Sequence, residues 1–135
     1  MDEVEFAQYT SGLDADQQDA VTQVRGMMLT LAPDLVESVN DGRWLNGLIF
    51  YSACGSMLFA VGPKGAKKTV FHMMPFYGSA ALQSAHREAL APFLTGKSCI
   101  TFRRFDDLPV HNIAEIIERG TPGMIEAIRS PGRPG

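Results

Sequence analysis

The chain has 135 residues, of which 45% are apolar and 20% charged, and its net charge is -3. This length suits a single domain that buries about two thirds of its unfolded surface. The overall acidity and the few aromatic residues argue against a nucleic-acid partner. No apolar run approaches the ~20 residues that cross a bilayer, and the acidic start lacks the pattern of a signal peptide, so we expect a cytoplasmic protein without membrane association.

Charge is spread unevenly along the chain. Residues 1–41 contain nine acidic residues against one basic residue, whereas residues 42–135 contain six acidic and eleven basic residues. Most of the early acids fall where a helix cap or first turn is expected, and there they oppose the helix dipole. The two cysteines, Cys54 and Cys99, form no CxxC motif, and we expect two buried thiols rather than a redox pair.

The N-terminal part predicts helices. Asp14 and Gln17 match a capping box that opens a helix with Val21, Val24, Met28 and Leu31 on one face. This helix should end at Ala32, because a proline disfavours helical geometry in the residue before it. We predict a second short helix from Pro33 to Val39, closed by the turn at 40–42.

The stretch 43–75 predicts an antiparallel meander. Asn46-Gly47 favours a two-residue hairpin, since a type I′ turn needs positive φ at both central residues. Later reversals are expected at 54–56 and 62–65. The apolar runs between these turns predict strands at Leu48–Tyr51, Met57–Val61 and Thr69–Met74.

The C-terminal part predicts a helix, a returning strand and two more helices. Ser79 is a plausible N-cap for the first helix, and a strand is expected from Ser98 to Phe105. A helix from Pro109 should end at Gly120, and Thr121-Pro122 should open a short final helix. The expected fold class is therefore α+β, an antiparallel sheet of about five strands packed with N- and C-terminal helices. It is expected to form one domain over residues 1–130, followed by a flexible tail at 131–135.

No recognisable catalytic or metal-binding set emerges from the residues. His72 lies within a predicted strand and is expected to be half-buried, whereas His86 and His111 are expected on exposed helix faces. There is no GxSxG motif, and the lysine-rich turn at 62–68 lacks the spacing of a phosphate loop. The chain therefore suggests no cofactor and no catalytic residue, and it favours a non-catalytic role without excluding an enzyme.

Aromatic and basic residues near the predicted turns suggest a ligand-binding site at one end of the sheet. Trp44 lies beside the Asn46-Gly47 turn, and a large ring there lines a pocket or completes the core. Lysines and arginines of neighbouring strands would form a basic patch suited to a small anion. The candidate ligand-binding residues are Trp44, Lys67, Lys68, His72, Tyr77 and Arg103.

Several short motifs, in order, resemble the YdhG-like family of bacterial domains of unknown function. Residues 37–44 (ESVNDGRW) are similar to its E-x-I-x-x-G-x-P-x-Y entry to the sheet, and residues 67–70 (KKTV) to its K-K-H-V strand. Residues 96–102 (GKSCITF) and 107–109 (DLP) resemble its closing strand and helix start. The chain departs from the pattern at Trp44-Leu45, where a proline and an aromatic are expected, and at Thr69, where a histidine is expected. The resemblance implies a frataxin-like α+β domain.

Three functions stay open at this point. The first is a binding module for an unknown small molecule or protein, with a homodimer possible. The second, suggested by a family member regarded as a frataxin-like iron chaperone, is iron binding through Asp16 and Asp19, which share one helix face. The third is an unrecognised enzyme that uses His72 or Lys68 as acid or base.

Overall fold

The computed structural model describes residues 1–130, and the predicted tail at 131–135 lies outside the described residues. Five strands form one sheet in the order β1-β2-β3-β4-β5, with every neighbouring pair antiparallel. The strands are β1 Val36–Val39, β2 Ile49–Ala53, β3 Ser56–Lys64, β4 Lys68–Met73 and β5 Cys99–Phe102. The helices are α1 Glu3–Thr10, α2 Ala15–Leu31, α3 Met74–Tyr77, α4 Ala80–Leu90 and α5 Val110–Arg129, with a short 3-10 helix at Phe105–Asp107. Over the described part, no helix is both long and apolar enough to span a membrane.

The helices cover one face of the sheet. The larger core packs the buried apolar side chains of α1, α2, α4 and α5 against Ile49, Tyr51, Phe59, Phe71 and Ile100 of the strands. A bulge opposite Tyr51 and Ser52 places Leu58 and Phe59 both in this core, although they are consecutive. The other face has a small cluster of Leu48, Ala60 and Val70, and the apolar residues packed against it, Leu45, Phe50, Met57 and Cys99, all belong to strands or loops. The sheet thus has a helix-covered face and a helix-free face.

The expected fold class and several local predictions are confirmed. Asp14 and Gln17 form the capping box, with the Asp14 carboxylate accepting from the Gln17 amide at 2.9 Å and the Gln17 side chain accepting in return at 3.2 Å. α2 ends at Leu31, one residue before the predicted boundary and two before Pro33. Ser79 caps α4 by accepting from the Leu82 amide at 3.1 Å.

The prediction of a helix from Pro33 to Val39 is wrong, because residues 36–39 form the edge strand β1. Glu37 pairs with Tyr51 in the register, so its carboxylate reaches the Tyr51 hydroxyl at 2.7 Å and Arg25 of α2 at 3.0 Å. As a strand residue, Glu37 links β1 to α2 and to β2, and these contacts outweigh the local signals for a helix. Asn46-Gly47 is consequently not a two-residue hairpin but part of the longer connection 40–48. The tight turn with two positive φ angles, 53° and 76°, lies at Cys54-Gly55.

Two further predictions are wrong near the C-terminus. α5 continues through Gly120 and Pro122 to Arg129 instead of breaking into two helices. The Thr121 hydroxyl donates to the Ile117 carbonyl at 2.6 Å, and Ile125 and Ile128 pack against the core. Tertiary packing therefore compensates for the helix-breaking residues.

Three local expectations about strand ends and burial are also wrong. The returning strand ends at Phe102 rather than Phe105, where the 3-10 helix begins. Cys54 is exposed because it occupies the hairpin turn, and Cys99 is half-buried on the helix-free face. His86 is buried between α4 and α5 instead of facing solvent.

Candidate functional site

Four of the residues predicted to bind a ligand lie at one end of the sheet. Trp44 lies in the β1–β2 connection and is 64% exposed, while Lys67 and Lys68 lie at the β3–β4 turn. Arg103 follows β5 and faces Asp16 of α2, with 3.5 Å between the Arg103 Nε and the Asp16 Oδ2 atoms. The carbonyl of Lys68 accepts from the Gln17 side chain at 2.8 Å, which fixes this turn against α2.

The other two predicted residues lie elsewhere. Tyr77 belongs to α3 at the opposite end of β4, so about 17 Å of extended strand separates it from Lys68. His72 faces the helix-free side between Ala60 and Cys99 of the neighbouring strands. Burial and, secondarily, the nearby positive charge of Lys64 lower the pKa of His72 below its ordinary value of 6.5. The structure therefore does not gather the six predicted residues into one pocket.

The carboxylates suggested as iron ligands have partners within the protein. Asp16 pairs with Arg103, and Asp19 accepts from Gln23 one turn later at 3.4 Å. Among residues 1–130, no group of three or more histidine, cysteine or acidic residues lies close enough to hold a metal ion.

An ionic cluster under β1, in which the side chains of Arg25 and Glu37 are buried and that of Glu3 is exposed, links the N-terminal helices to the sheet. The Arg25 guanidinium donates to both carboxylate oxygens of Glu37, at 3.0 and 3.1 Å, and to Glu3 at 2.8 Å. It also lies over the Phe6 ring, 4.4 Å from the centroid. Burial, aided by the Glu37 carboxylate, raises the pKa of Tyr51 above its usual range. Every charged group here is satisfied internally, so we assign the cluster a structural role.

A groove with a predominantly apolar wall lies between α3, α4 and the second half of α5. Its volume is about 690 Å³, within the range of pockets that hold small ligands. Apolar side chains make up most of the wall, namely Met74, Pro75, Leu82, Ala85, Met124, Ala127 and Ile128. Tyr77, which is 48% exposed, lies at one end, and its ring lies 5.9 Å from the Lys97 ammonium.

Two glycines of α5 shape this groove. A Cβ atom on Gly120 would lie 2.6 Å from the Pro75 Cβ atom, so only glycine lets α5 approach α3 this closely. A Cβ atom on Gly123, one turn further along, would meet no atom within 4 Å. Gly120 thus brings the two walls together, and Gly123 leaves the space between them open.

The polar end of the groove is formed by Glu115 and Arg119 of α5, backed by a buried histidine. One Glu115 oxygen lies 3.3 Å from the Arg119 Nε atom, and the other lies 3.4 Å from the His86 Nε2 atom. His86 is only 3% exposed, and its Nδ1 atom lies 3.0 Å from the Asn112 side-chain nitrogen. The His86 Nε2 atom has no aligned hydrogen-bond partner in the described chain. The groove therefore combines an apolar wall with one carboxylate and one guanidinium, and a buried imidazole lies behind the carboxylate.

Of the groove residues, only Tyr77 was among those predicted from the sequence. The residues missed are Glu115, Arg119 and His86, which lie on two helices whose packing the sequence does not display. A signal was present in the Glu115–Arg119 spacing, since side chains four apart on a helix are neighbours. That spacing is common on exposed helix faces, so it indicates a polar site only once the structure shows that α4, with His86, lies beside it.

The architecture defines an α+β domain in which helices cover one face of a five-stranded antiparallel meander. A solved structure with this fold is that of a protein from the DUF1801 family, YdhG from Bacillus subtilis. The two superpose with a TM-score of 0.64 over 87% of this chain and 89% of that chain, with 12% identical residues. No family model and no curated protein matches the sequence. The similarity confirms the expected YdhG-like fold.

Proposed function

We propose that this protein is a non-catalytic binding module that holds a small, predominantly apolar ligand in the groove between α3, α4 and α5. One observation carries the proposal, namely an apolar groove of about 690 Å³ with its few polar groups at defined places. Such a combination is typical of small-molecule sites, where apolar walls supply affinity and a few polar groups fix orientation.

The shape of the groove favours an elongated ligand. Its lining on α5 runs from Glu115 to Ile128, which corresponds to about 20 Å along the helix axis. The narrow dimension is set by Gly120, where α5 approaches α3. A chain-like or flat molecule fits this geometry better than a spherical one.

A variant that fills the groove tests the proposal. The substitution Gly123→Leu places a branched side chain beside Met124, at a position where a Cβ atom meets nothing within 4 Å. The matched control is Gly26→Leu, because Gly26 is an exposed helical glycine of α2 that also has open space around it. Both changes raise helix propensity equally, so only the occupied groove distinguishes the two variants.

The measurement is an NMR titration of isotope-labelled protein with 1-octanol, an uncharged molecule with an eight-carbon chain. We expect saturable shifts of amides in residues 74–85 and 115–128 for the wild type and for Gly26→Leu, and at least a tenfold weaker response for Gly123→Leu. The proposal is refuted if the wild type shows no saturable shifts there, or if Gly123→Leu responds like its control.

A further inference from the structure

We infer that the ligand of this groove carries a cationic, hydrogen-bond-donating head group, of the alkylammonium class, that binds the carboxylate of Glu115. The inference rests on the proposed apolar site and adds the chemistry of its polar end. It begins with the arrangement of Asn112, His86 and Glu115 at the end of the groove opposite Tyr77.

The hydrogen-bond network orients the buried histidine. When the Asn112 amide donates to the His86 Nδ1 atom at 3.0 Å, the neutral imidazole carries its proton on Nε2. The Nε2 atom lies 3.4 Å from the Glu115 Oε2 atom without the alignment of a hydrogen bond, and the ring itself is 97% removed from solvent. The Glu115 carboxylate therefore has the buried imidazole on one side and the Arg119 guanidinium on the other.

The second oxygen of Glu115 is free to change its partner. Its present contact is Arg119, whose side chain is 75% exposed, in an i,i+4 pair. Pairs of this exposed kind contribute little to stability, so a ligand ammonium group can replace the guanidinium at small cost. The Arg119 side chain then extends into solvent.

An anionic head group fits the same end poorly. It would compete with Glu115 for Arg119 and would lie beside the Glu115 carboxylate, which at 40% exposure is less able to turn into solvent than Arg119 at 75%. Two like charges at contact distance repel, and desolvation by the apolar wall strengthens this repulsion. Charge complementarity therefore selects a cation over an anion.

Three probes with the same eight-carbon chain test the inference, namely octylammonium, octanoate and 1-octanol. We expect octylammonium to bind at least about tenfold more tightly than octanoate, as a charge-assisted hydrogen bond contributes. Glu115→Gln should abolish this preference, because it removes both the attraction for octylammonium and the repulsion of octanoate. The matched control Glu118→Gln removes the same charge from an exposed position of α5 outside the groove and should retain the preference.

The outcomes separate this inference from the proposed function. If 1-octanol binds in the groove but octanoate binds as tightly as octylammonium, the head-group inference is refuted and the apolar site stands. If Glu115→Gln and Glu118→Gln reduce the preference equally, general electrostatics explains it, and the inference is again refuted. If no probe binds to the groove, both fail together.

Discussion

Two glycines three residues apart on α5 should respond in opposite ways to the same substitution. Gly123 is exposed, and a Cβ atom there would meet nothing within 4 Å. Alanine is preferred over glycine in a helix by about 1 kcal/mol, so Gly123→Ala should raise the free energy of unfolding by about that amount. For a domain of this size the melting temperature should rise by about 4 °C.

At Gly120 the same gain in helix propensity is overridden by a steric clash. The new Cβ atom would lie 2.6 Å from the Pro75 Cβ atom and 3.3 Å from the Leu82 Cδ1 atom. The proline ring is rigid, so the helices must separate, and such overpacking costs about 1–3 kcal/mol. After the gain in propensity is subtracted, Gly120→Ala should lower the free energy of unfolding by up to about 2 kcal/mol, and this variant should be about 1–3 kcal/mol less stable than Gly123→Ala.

The measurement is urea-induced unfolding followed by circular dichroism at 222 nm, with both variants and the wild type compared at one pH. The reasoning is refuted if Gly120→Ala is as stable as Gly123→Ala, because α5 would then not contact α3 as described. It is equally refuted if Gly123→Ala is destabilised, since that position would not be open.

Three further substitutions test other parts of the structure. Arg25→Met leaves the buried Glu37 carboxylate without its cation and should lower the free energy of unfolding by about 3–5 kcal/mol, with strong coupling to Glu37→Gln in a double-mutant cycle. Because burial lowers the pKa of His72, the unfolded chain binds a proton at this residue more tightly than the folded protein does, so the free energy of unfolding should fall as pH drops from 7 through 6.5 towards 5. Urea unfolding of His72→Gln should show a smaller fall over the same pH range. An equal fall in the two proteins would contradict the assignment. Cys54→Asn should stabilise the 54–55 turn by about 0.5–1 kcal/mol, since asparagine tolerates positive φ better than cysteine; thermal unfolding at a lower temperature than the wild type would disprove this.

Capping and periodicity in the sequence were sufficient to predict α2, α4 and three strands of the meander. These elements carry their own signals, such as the Asp14 capping box and the Ser79 N-cap, which the structure reproduces. The sequence of the edge strand β1 instead carried signals for a helix, because Pro33 and the following residues suit a helix start. Its strand geometry depends on Arg25 and Tyr51, which the chain brings to Glu37 only after folding.

The groove could not be predicted for a related reason. Local rules end a helix at Gly120 and Pro122, yet α5 continues because Gly120 packs against Pro75 and because Ile125 and Ile128 contact the core. The residues that line the groove come from three separate helices, and no sequence pattern indicates that they meet. Tyr77 was predicted to bind a ligand beside Trp44, but the length of β4 separates the two ends of the sheet.

The most direct test of the groove as a ligand site is the detection of intermolecular nuclear Overhauser effects from the terminal methyl group of bound octylammonium. Our account predicts contacts from this methyl group to the methyl groups of Met124, Ala127 and Ile128, with the ammonium end near Glu115. Contacts to Phe50 and Met57 on the helix-free face, with none to α5, would contradict it.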